Sequence, residues 1–203
     1  MNRRPFLMLP PALLAACGGS LLPKPAAAPA RYTLDDGLAA AGNAVPSGPV
    51  LLLSTLQALP GFDTPRMLYL LQPQVLEAYA QSEWVDKPAR MIAPLLQRAL
   101  LASGAFAAVL QAPSAARADW QLEVELQRLQ QDFTQPPSRV RLTLRAVLVD
   151  SLTRQVIGAQ EFDETVAALS EDAAGGAHAA QVAAAQAVTA LARFCAAQTK
   201  RPA

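Results

Sequence analysis

The chain has 203 residues and a formal net charge of +1 at pH 7, with 17 basic and 16 acidic side chains. This balance excludes the clustered basic excess that a nucleic-acid-binding surface needs. The length fits one domain with a terminal extension. A membrane-spanning helix would require a run of about 18 apolar residues, and beyond the N-terminus every run of that length contains a polar group.

The N-terminus has the pattern of a bacterial export signal. Arg3 and Arg4 precede an apolar stretch of about ten residues, which is too short to cross a bilayer that needs about 20. The arginine pair is compatible with the general secretory route and with the twin-arginine route. Residues 1–16 are therefore predicted to be a lipoprotein signal peptide.

Small residues surround Cys17 at the end of this stretch. Leu14, Ala15 and Ala16 precede the cysteine, and Gly18 follows it. The arrangement resembles the lipobox of bacterial lipoproteins, in which the cysteine sulfur receives a diacylglyceryl group and cleavage makes this cysteine the new N-terminus. The alternative is an unlipidated secretory signal that happens to contain a cysteine.

A linker is predicted after the lipid site. Residues 18–30 are rich in Gly, Pro and Ala and show no periodicity, so residues 17–30 are expected to form a lipidated N-terminus and a flexible tether. Residues 31–203 are expected to form a single domain. If Cys17 is acylated, Cys195 has no intramolecular partner, and it is predicted either to be a small buried apolar residue or to pair between molecules.

The first half of the domain is predicted to contain strands and one helix. A strand begins near Val50, and a hairpin is expected from Arg66 to Ala80. A short strand is expected after the helix, at residues 106–110.

The predicted helix occupies residues 86–103. Asp86 is the expected N-cap, Pro88 lies in the first turn and Gly104 is the expected stop. Pro94 lies deep in this segment and is expected to kink the helix or to delay its start. The apolar stripe that predicts the helix consists of Met91, Leu95, Leu96, Leu100 and Leu101.

The second half is predicted to be a three-stranded meander followed by a helix. Apolar and polar residues alternate through 120–127 and 140–145, and a third strand follows from Val156. The first hairpin is expected to bring Glu125 near Arg141. An alanine-rich helix opens at residues 170–172 and presents a stripe of Ala184, Val188, Leu191 and Cys195.

These elements mix strands and helices without strict alternation. The predicted fold class is therefore α+β, a mostly antiparallel mixed sheet with two main helices packed on one face.

Residue types that carry catalysis are sparse. His178 is the only histidine, so no histidine cluster for zinc can form, and it is expected to be an ordinary helix residue. Asp163 and Glu164 are neighbours on a predicted strand and would point to opposite faces. The residues therefore indicate no metal cluster and no catalytic centre within one segment, and the alternative is a hydrolase that acts through acidic side chains from distant segments. No cofactor is expected beyond the acyl lipid on Cys17.

The middle of the chain resembles the ABC-type transport auxiliary lipoproteins, the PqiC-like family. The shared pattern is a hairpin with an arginine and an aromatic residue, a tyrosine shortly before a tryptophan, a helix, and a strand with the motif Phe-x-x-Val. The positions that carry it are Arg66, Tyr69, Tyr79, Trp84, Pro88, Leu95, Leu100, Phe106 and Val109.

The resemblance implies a non-enzymatic, lipid-anchored subunit. Members of the family accompany an ABC permease, an ATPase and a protein with mammalian-cell-entry (MCE) domains, in systems that move lipids or other hydrophobic molecules between two membranes. Some members assemble into homo-oligomeric rings. Because Gly18 rather than an aspartate follows Cys17, similarity to sorted lipoproteins implies the periplasmic face of the outer membrane. The alternatives are an outer-membrane or cell-wall assembly lipoprotein and a small periplasmic hydrolase.

Three aromatic residues are predicted either to pack in the core or to contact a partner. Tyr79 and Trp84 are expected to serve the core, where a large ring can seal the end of a sheet. Phe62 lies in a loop among Gly, Pro and Asp, so it either folds back on the sheet or, together with the neighbouring hairpin, contacts a partner.

Overall fold

The computed structural model describes residues 28–35 and 48–200. These residues form nine strands, which make one mixed sheet, and two helices, which form a layer packed against it. The strands are β1 Ala30–Tyr32, β2 Val50–Leu53, β3 Gln57–Ala58, β4 Arg66–Gln72, β5 Val75–Trp84, β6 Ala108–Gln111, β7 Trp120–Asp132, β8 Arg139–Asp150 and β9 Val156–Ala167. The helices are α1 Pro88–Ala102 and α2 Ala173–Gln198.

Strand β7 organises the sheet. Along one edge it pairs in antiparallel fashion with β8, which in turn pairs with β9, so the predicted meander is confirmed. Along its other edge it pairs in succession with β2, β3 and β4, all in short parallel ladders. Strand β6 extends the sheet beyond β2, and the β4–β5 hairpin is extended by β1. The long ladders are antiparallel, and the predicted α+β class is confirmed.

Alternation explains how β7 contributes to the core. Leu122, Val124 and Leu126 are buried on the side that faces the helices. A bulge between Leu126 and Arg128 then shifts the phase, because an extra residue in one strand moves the following side chains to the other face. After the bulge, Leu129 and Gln131 are buried, so a polar side chain enters the interior near the end of the strand.

Both helices pack on the sheet and on each other. Helix α1 buries Ile92, Leu95, Leu96 and Leu100. Helix α2 buries a face made almost entirely of alanine, together with Val188, Leu191 and Cys195, as the stripe predicts. Such small side chains let a helix approach its neighbours closely while still excluding water from them.

The start of α1 differs from the prediction. The N-cap is Lys87 rather than Asp86, and its side chain makes no capping hydrogen bond. Pro88 occupies the first helical position and disfavours helical geometry in the residue before it, which makes Lys87 the extended boundary residue. The Asp86 carboxylate accepts a hydrogen bond from the Lys87 N–H at 2.7 Å instead.

Pro94 does not delay the helix, which begins at Pro88 and continues to Ala102. Pro94 cannot donate to the carbonyl of Arg90, but both residues lie on the exposed face, where water can take the place of the missing N–H. The predicted stripe is also wrong at Leu101, which is 43% exposed, whereas Ile92 is fully buried.

The predicted pairing of Glu125 with Arg141 is wrong. Glu125 lies opposite Arg145, and Arg141 lies opposite Gln130 and 3.7 Å from the carboxylate of Asp163. The reason is the length of the hairpin loop, because β7 continues to Asp132 and β8 starts already at Arg139.

Candidate functional site

Three loops meet at one end of the sheet, which we call the hairpin end. They are the β4–β5 turn at residues 73–74, the β7–β8 loop at 133–138 and the β9–α2 loop at 168–172. Two backbone hydrogen bonds hold them together, from the Phe133 N–H to the Leu70 carbonyl at 2.9 Å and from the Ala168 N–H to the Ser138 carbonyl at 2.8 Å.

A chain of polar contacts runs beneath these loops. The Tyr79 hydroxyl donates to Oε1 of Gln131 at 2.9 Å, and the Gln131 amide nitrogen donates to Oγ of Ser138 at 2.9 Å. The backbone N–H of Ser138 donates to Oε1 of Glu171 at 2.9 Å, just before helix α2. Gln131 and Ser138 are buried. This chain of polar contacts therefore satisfies interior polar groups, and it links β5, β7, β8 and the start of α2.

Helix α2 packs directly against the Gln131 side chain at Gly176. A methyl group on Gly176 would overlap the Gln131 side-chain amide, and Gly176 is itself buried. The absence of a side chain thus allows the helix to cover the buried glutamine directly.

Aromatic rings form the outer layer of the hairpin end. The rings of Tyr69 and Tyr79 have centroids 4.7 Å apart, and the rings of Phe133 and Tyr69 form a T-shaped contact with centroids 6.1 Å apart. The Tyr69 hydroxyl donates to Glu77 at 2.8 Å, and this hydrogen bond to a carboxylate raises the Tyr69 pKa. Burial raises the pKa of Tyr79 well above its usual value, with a contribution from the negative charge of Asp172. Both tyrosines are therefore neutral hydrogen-bond donors at physiological pH.

Large apolar side chains are exposed on the same end. Leu71 is 53% exposed, Val75 45% and Leu76 41%, all beside the hairpin turn, and Leu169 in the β9–α2 loop is 79% exposed. Neighbouring exposed apolar residues are suited to a contact surface, and the opposite end of the sheet also exposes Leu152 and Val156.

The carboxylates of this end are engaged within the protein. Asp172 caps helix α2 by accepting from the Gly175 N–H at 2.8 Å and also accepts from the Ser170 hydroxyl at 2.7 Å. These hydrogen bonds lower the Asp172 pKa. At Asp132, burial opposes ionisation, but hydrogen bonds from the Thr134 hydroxyl and N–H outweigh it and lower the pKa.

The sequence predictions for Trp84 and Tyr79 are confirmed in part by their burial. Trp84 is 4% exposed and belongs to the core. Tyr79 is half-buried and packs against the core while its hydroxyl joins the polar chain. The hairpin is confirmed and is longer than predicted, because β5 continues from Val75 to Trp84.

Phe62 lies away from the hairpin end. It is half-buried in the loop between β3 and β4, where its N–H donates to the Leu59 carbonyl at 2.8 Å. This loop joins β4 at Arg66, and the apolar turn lies at the other end of that strand, about 20 Å away at 3.3 Å per residue. The structure therefore does not bring Phe62 and the exposed part of the hairpin into one surface.

The remaining predicted residues carry no catalytic arrangement in the described part of the chain. His178 is exposed on α2. Cys195 is fully buried and burial raises its pKa to about 12, which makes it an unreactive thiol and agrees with the prediction of a small apolar residue. Cys17 and its neighbours Leu14, Ala15, Ala16 and Gly18 lie outside the described residues.

Residues 28–35 and 48–200 contain neither a metal-binding cluster nor a membrane-spanning helix. Within these ranges, His, Cys, Asp and Glu side chains do not gather in groups of three or more that could hold a metal ion. Neither helix in these ranges is long and apolar enough to cross a bilayer. The hairpin end itself presents exposed apolar side chains above a satisfied chain of polar contacts.

Sequence reasoning identified Tyr79 but missed the buried Gln131 and the polar chain that runs from it to Ser138 and Glu171. Alternation alone places Gln130 inward, and the bulge that brings Gln131 inward leaves no mark in the sequence except two adjacent glutamines after an apolar residue. Ser138 and Glu171 come from distant segments, so only the folded chain unites them.

Comparisons with known proteins show which family this chain matches. The family model of the ABC-type transport auxiliary lipoprotein component matches residues 32–193. Protein XCC0632 from Xanthomonas campestris is similar in structure, with a TM-score of 0.73, 25% identity, and coverage of 85% of this chain and 96% of that chain. A search of curated proteins finds no match.

Two more distant structures share the fold alone. An uncharacterized protein has a TM-score of 0.64 at 12% identity, over 83% of this chain and 99% of that chain. The hypothetical protein CT253 from Chlamydia trachomatis has a TM-score of 0.51 at 8% identity, over 76% of this chain and 99% of that chain. The family match extends through all the elements from the end of β1 to the last turns of α2. The chain belongs to the family of ABC-type transport auxiliary lipoprotein components.

Proposed function

We propose that this protein is a non-enzymatic outer-membrane lipoprotein subunit of an ABC/MCE-type system that moves lipids or other hydrophobic molecules between membranes. The observation that carries the proposal is the family match over residues 32–193. In this role the body docks onto the MCE-domain protein or completes its channel, and the ABC permease and ATPase belong to the same system.

The anchor in this proposal is the acyl lipid on Cys17. The apolar stretch, the small residues before Cys17 and Gly18 after it support lipidation and retention on the periplasmic face of the outer membrane. Acyl chains contribute about 0.8 kcal/mol per buried CH₂, so two or three chains hold a protein on a membrane against washing.

Phe62 is proposed as a residue that contacts the partner. It stands half-buried in an exposed loop, and the loop is fixed by an ion pair between Asp63 and Lys87 at 2.7 Å. A large apolar side chain that is held in a defined position but only partly covered is suited to inserting into a pocket on another protein.

The genetic context tests the proposed system. We expect genes for a permease, an ATPase and an MCE-domain protein beside the gene for this chain. Deleting this gene, the MCE gene, or both is then expected to weaken the membrane barrier against detergents to the same extent, because all act in one system. An additive defect in the double deletion, or a lone gene among cell-wall genes, would favour an assembly lipoprotein instead.

Fractionation tests the location. Wild-type protein is expected with the outer membrane and the Cys17→Ala variant in the soluble periplasmic fraction or uncleaved with the inner membrane. A Cys17→Ala variant that still fractionates with the outer membrane would contradict the lipid anchor.

A further inference from the structure

The N-terminal chain enters the folded body from a defined direction. Strand β1 pairs with β5 in parallel, with Ala30 beside Ser82 and Tyr32 beside Trp84. Strand β5 runs away from the hairpin turn, starting at Val75. Since the two strands run in the same direction, the chain that precedes Ala30 comes from the side of the hairpin end.

The length of that chain matches the distance to this end. Seven residue steps along β5 separate Ser82 from Val75, which correspond to about 23 Å at 3.3 Å per residue. Between Cys17 and Ala30 lie 12 residues, which span about 20 Å as a coil and about 40 Å when stretched. A bilayer at the opposite end of the sheet would force the tether to reverse and run back along the body.

The surface that this tether approaches exposes several large apolar side chains. Leu71, Val75 and Leu76 stand at the hairpin turn, and Leu169 is 79% exposed in the adjoining loop. The β7–β8 loop beside them has the uncharged sequence Phe-Thr-Gln-Pro-Pro-Ser.

The charges near this surface limit which membrane it suits. The carboxylates of Glu77, Asp132, Glu171 and Asp172 all accept hydrogen bonds from neighbouring protein groups. Arg139 and Arg141 are basic side chains close to Asp132, and Arg139 donates to Gln135 at 2.9 Å. An excess of acidic groups is repelled by a strongly anionic surface but is compatible with zwitterionic headgroups.

We propose that the hairpin end rests on the same bilayer that holds the acyl chains of Cys17, with Leu71, Val75, Leu76 and Leu169 at the boundary between headgroups and acyl chains of a mainly zwitterionic lipid surface. The proposal rests on the lipid anchor of the proposed function. It fixes the orientation of the body, so that the β8–β9 turn points away from this membrane and towards the periplasm.

Tryptophan quenching in vesicles tests this orientation. The full-length lipidated protein is reconstituted into phosphatidylethanolamine vesicles with a minor share of phosphatidylglycerol and with phosphatidylcholine brominated in its acyl chains. Leu76→Trp places a probe at the hairpin end. Leu152→Trp is the matched control, because Leu152 is 84% exposed in the turn after β8, whose end pairs with Trp120 at the opposite end of β7.

The native tryptophans give the same background in both variants, and the wild-type signal is subtracted. We expect the added emission of Leu76→Trp to shift to shorter wavelength and to lose most of its intensity, and that of Leu152→Trp to remain unquenched. Val75→Trp replaces Leu76→Trp if the latter does not melt cooperatively like the wild type.

The outcomes separate the orientation from the anchor. Quenching of Leu152→Trp alone, equal quenching of both probes, or quenching of neither probe in protein that sediments with the vesicles would overturn the orientation and leave the anchor intact. Protein that fails to sediment with the vesicles would contradict the anchor, and the orientation with it.

Discussion

The Tyr79 hydroxyl donates a hydrogen bond to Oε1 of the buried Gln131 at 2.9 Å. This contact joins the hairpin to the central strand β7, and Gln131 continues it to Ser138 in the β7–β8 loop, just before β8. Because an unpaired polar group in the interior costs about 1 to 3 kcal/mol, the hairpin end is held together by polar contacts that are costly to break.

Gly176 is predicted to be intolerant of a side chain because of Gln131. We expect Gly176→Ala to destabilise the protein by about 1 to 3 kcal/mol, since the added methyl overlaps the glutamine amide in a packed interior. The free energy of unfolding in urea measures this loss.

Gln131→Ala provides the double-mutant test. In this background the overlap is gone, so Gly176→Ala is expected to cost much less than in the wild type. Additive losses would show that Gly176 is constrained by something other than Gln131.

Trp84 is predicted to be a stabilising core residue. Truncating a buried aromatic side chain typically costs about 3 to 5 kcal/mol, and Trp84 is 4% exposed. Trp84→Ala is therefore expected to lower the melting temperature strongly in a thermal unfolding experiment, whereas Leu152→Ala, at an 84% exposed position, serves as the control and should leave it unchanged. A fully stable Trp84→Ala protein that loses partner binding would contradict the assignment.

The lowered pKa of Asp172 predicts that the folded protein loses stability in acid. Hydrogen bonds from the Gly175 N–H and the Ser170 hydroxyl lower its pKa in the folded state. The stabilisation is therefore complete above the ordinary carboxyl pKa of about 3.9 and disappears as pH falls through the lowered folded-state pKa.

Asp172→Asn removes this titration while keeping a side chain that can cap a helix. The wild type is expected to melt a few degrees above the variant at pH 7, with the difference shrinking as the pH falls towards 3. A difference in melting temperature that is the same at pH 7 and pH 3 would show that the ionised carboxylate is not what stabilises this helix start.

The elements with regular patterns could be predicted from the sequence. Strict alternation defined β7 and β8, and the small-residue stripe of α2 was predicted correctly through Leu191 and Cys195. The parallel pairings of β2, β3 and β4 with β7 could not be predicted, because a strand's own pattern shows which face is buried and not which neighbour it pairs with.

The candidate site was harder to predict than the fold. The bulge after Leu126 decides that Gln131 points inward, and the contact of Gln131 with Gly176 joins residues 45 positions apart. The pattern of the hairpin does not predict that Leu71 and Leu76 are exposed, because their exposure depends on the turn extending beyond the end of β7.

Phe62 is predicted to act in binding rather than in stability. Phe62→Ser is expected to lower the melting temperature only slightly, because Phe62 is half-buried and does not belong to the core, and to reduce the amount of partner that copurifies. A large loss of stability would place Phe62 in the core, and no change in either quantity would remove this loop from the docking surface. Leu59→Ser, at a 39% exposed position of the same loop, is the matched control for a general effect of the substitution.

Copurification of the native partner tests the central claim most directly. The lipidated protein, tagged at its C-terminus, is purified from detergent-solubilised envelopes of cells that express it at its natural level, and the bound proteins are identified by mass spectrometry. The account predicts that an MCE-domain protein is enriched over a control purification with an unrelated tagged outer-membrane lipoprotein. Enrichment of cell-wall assembly proteins in its place, with no MCE-domain protein above the control, would contradict the account.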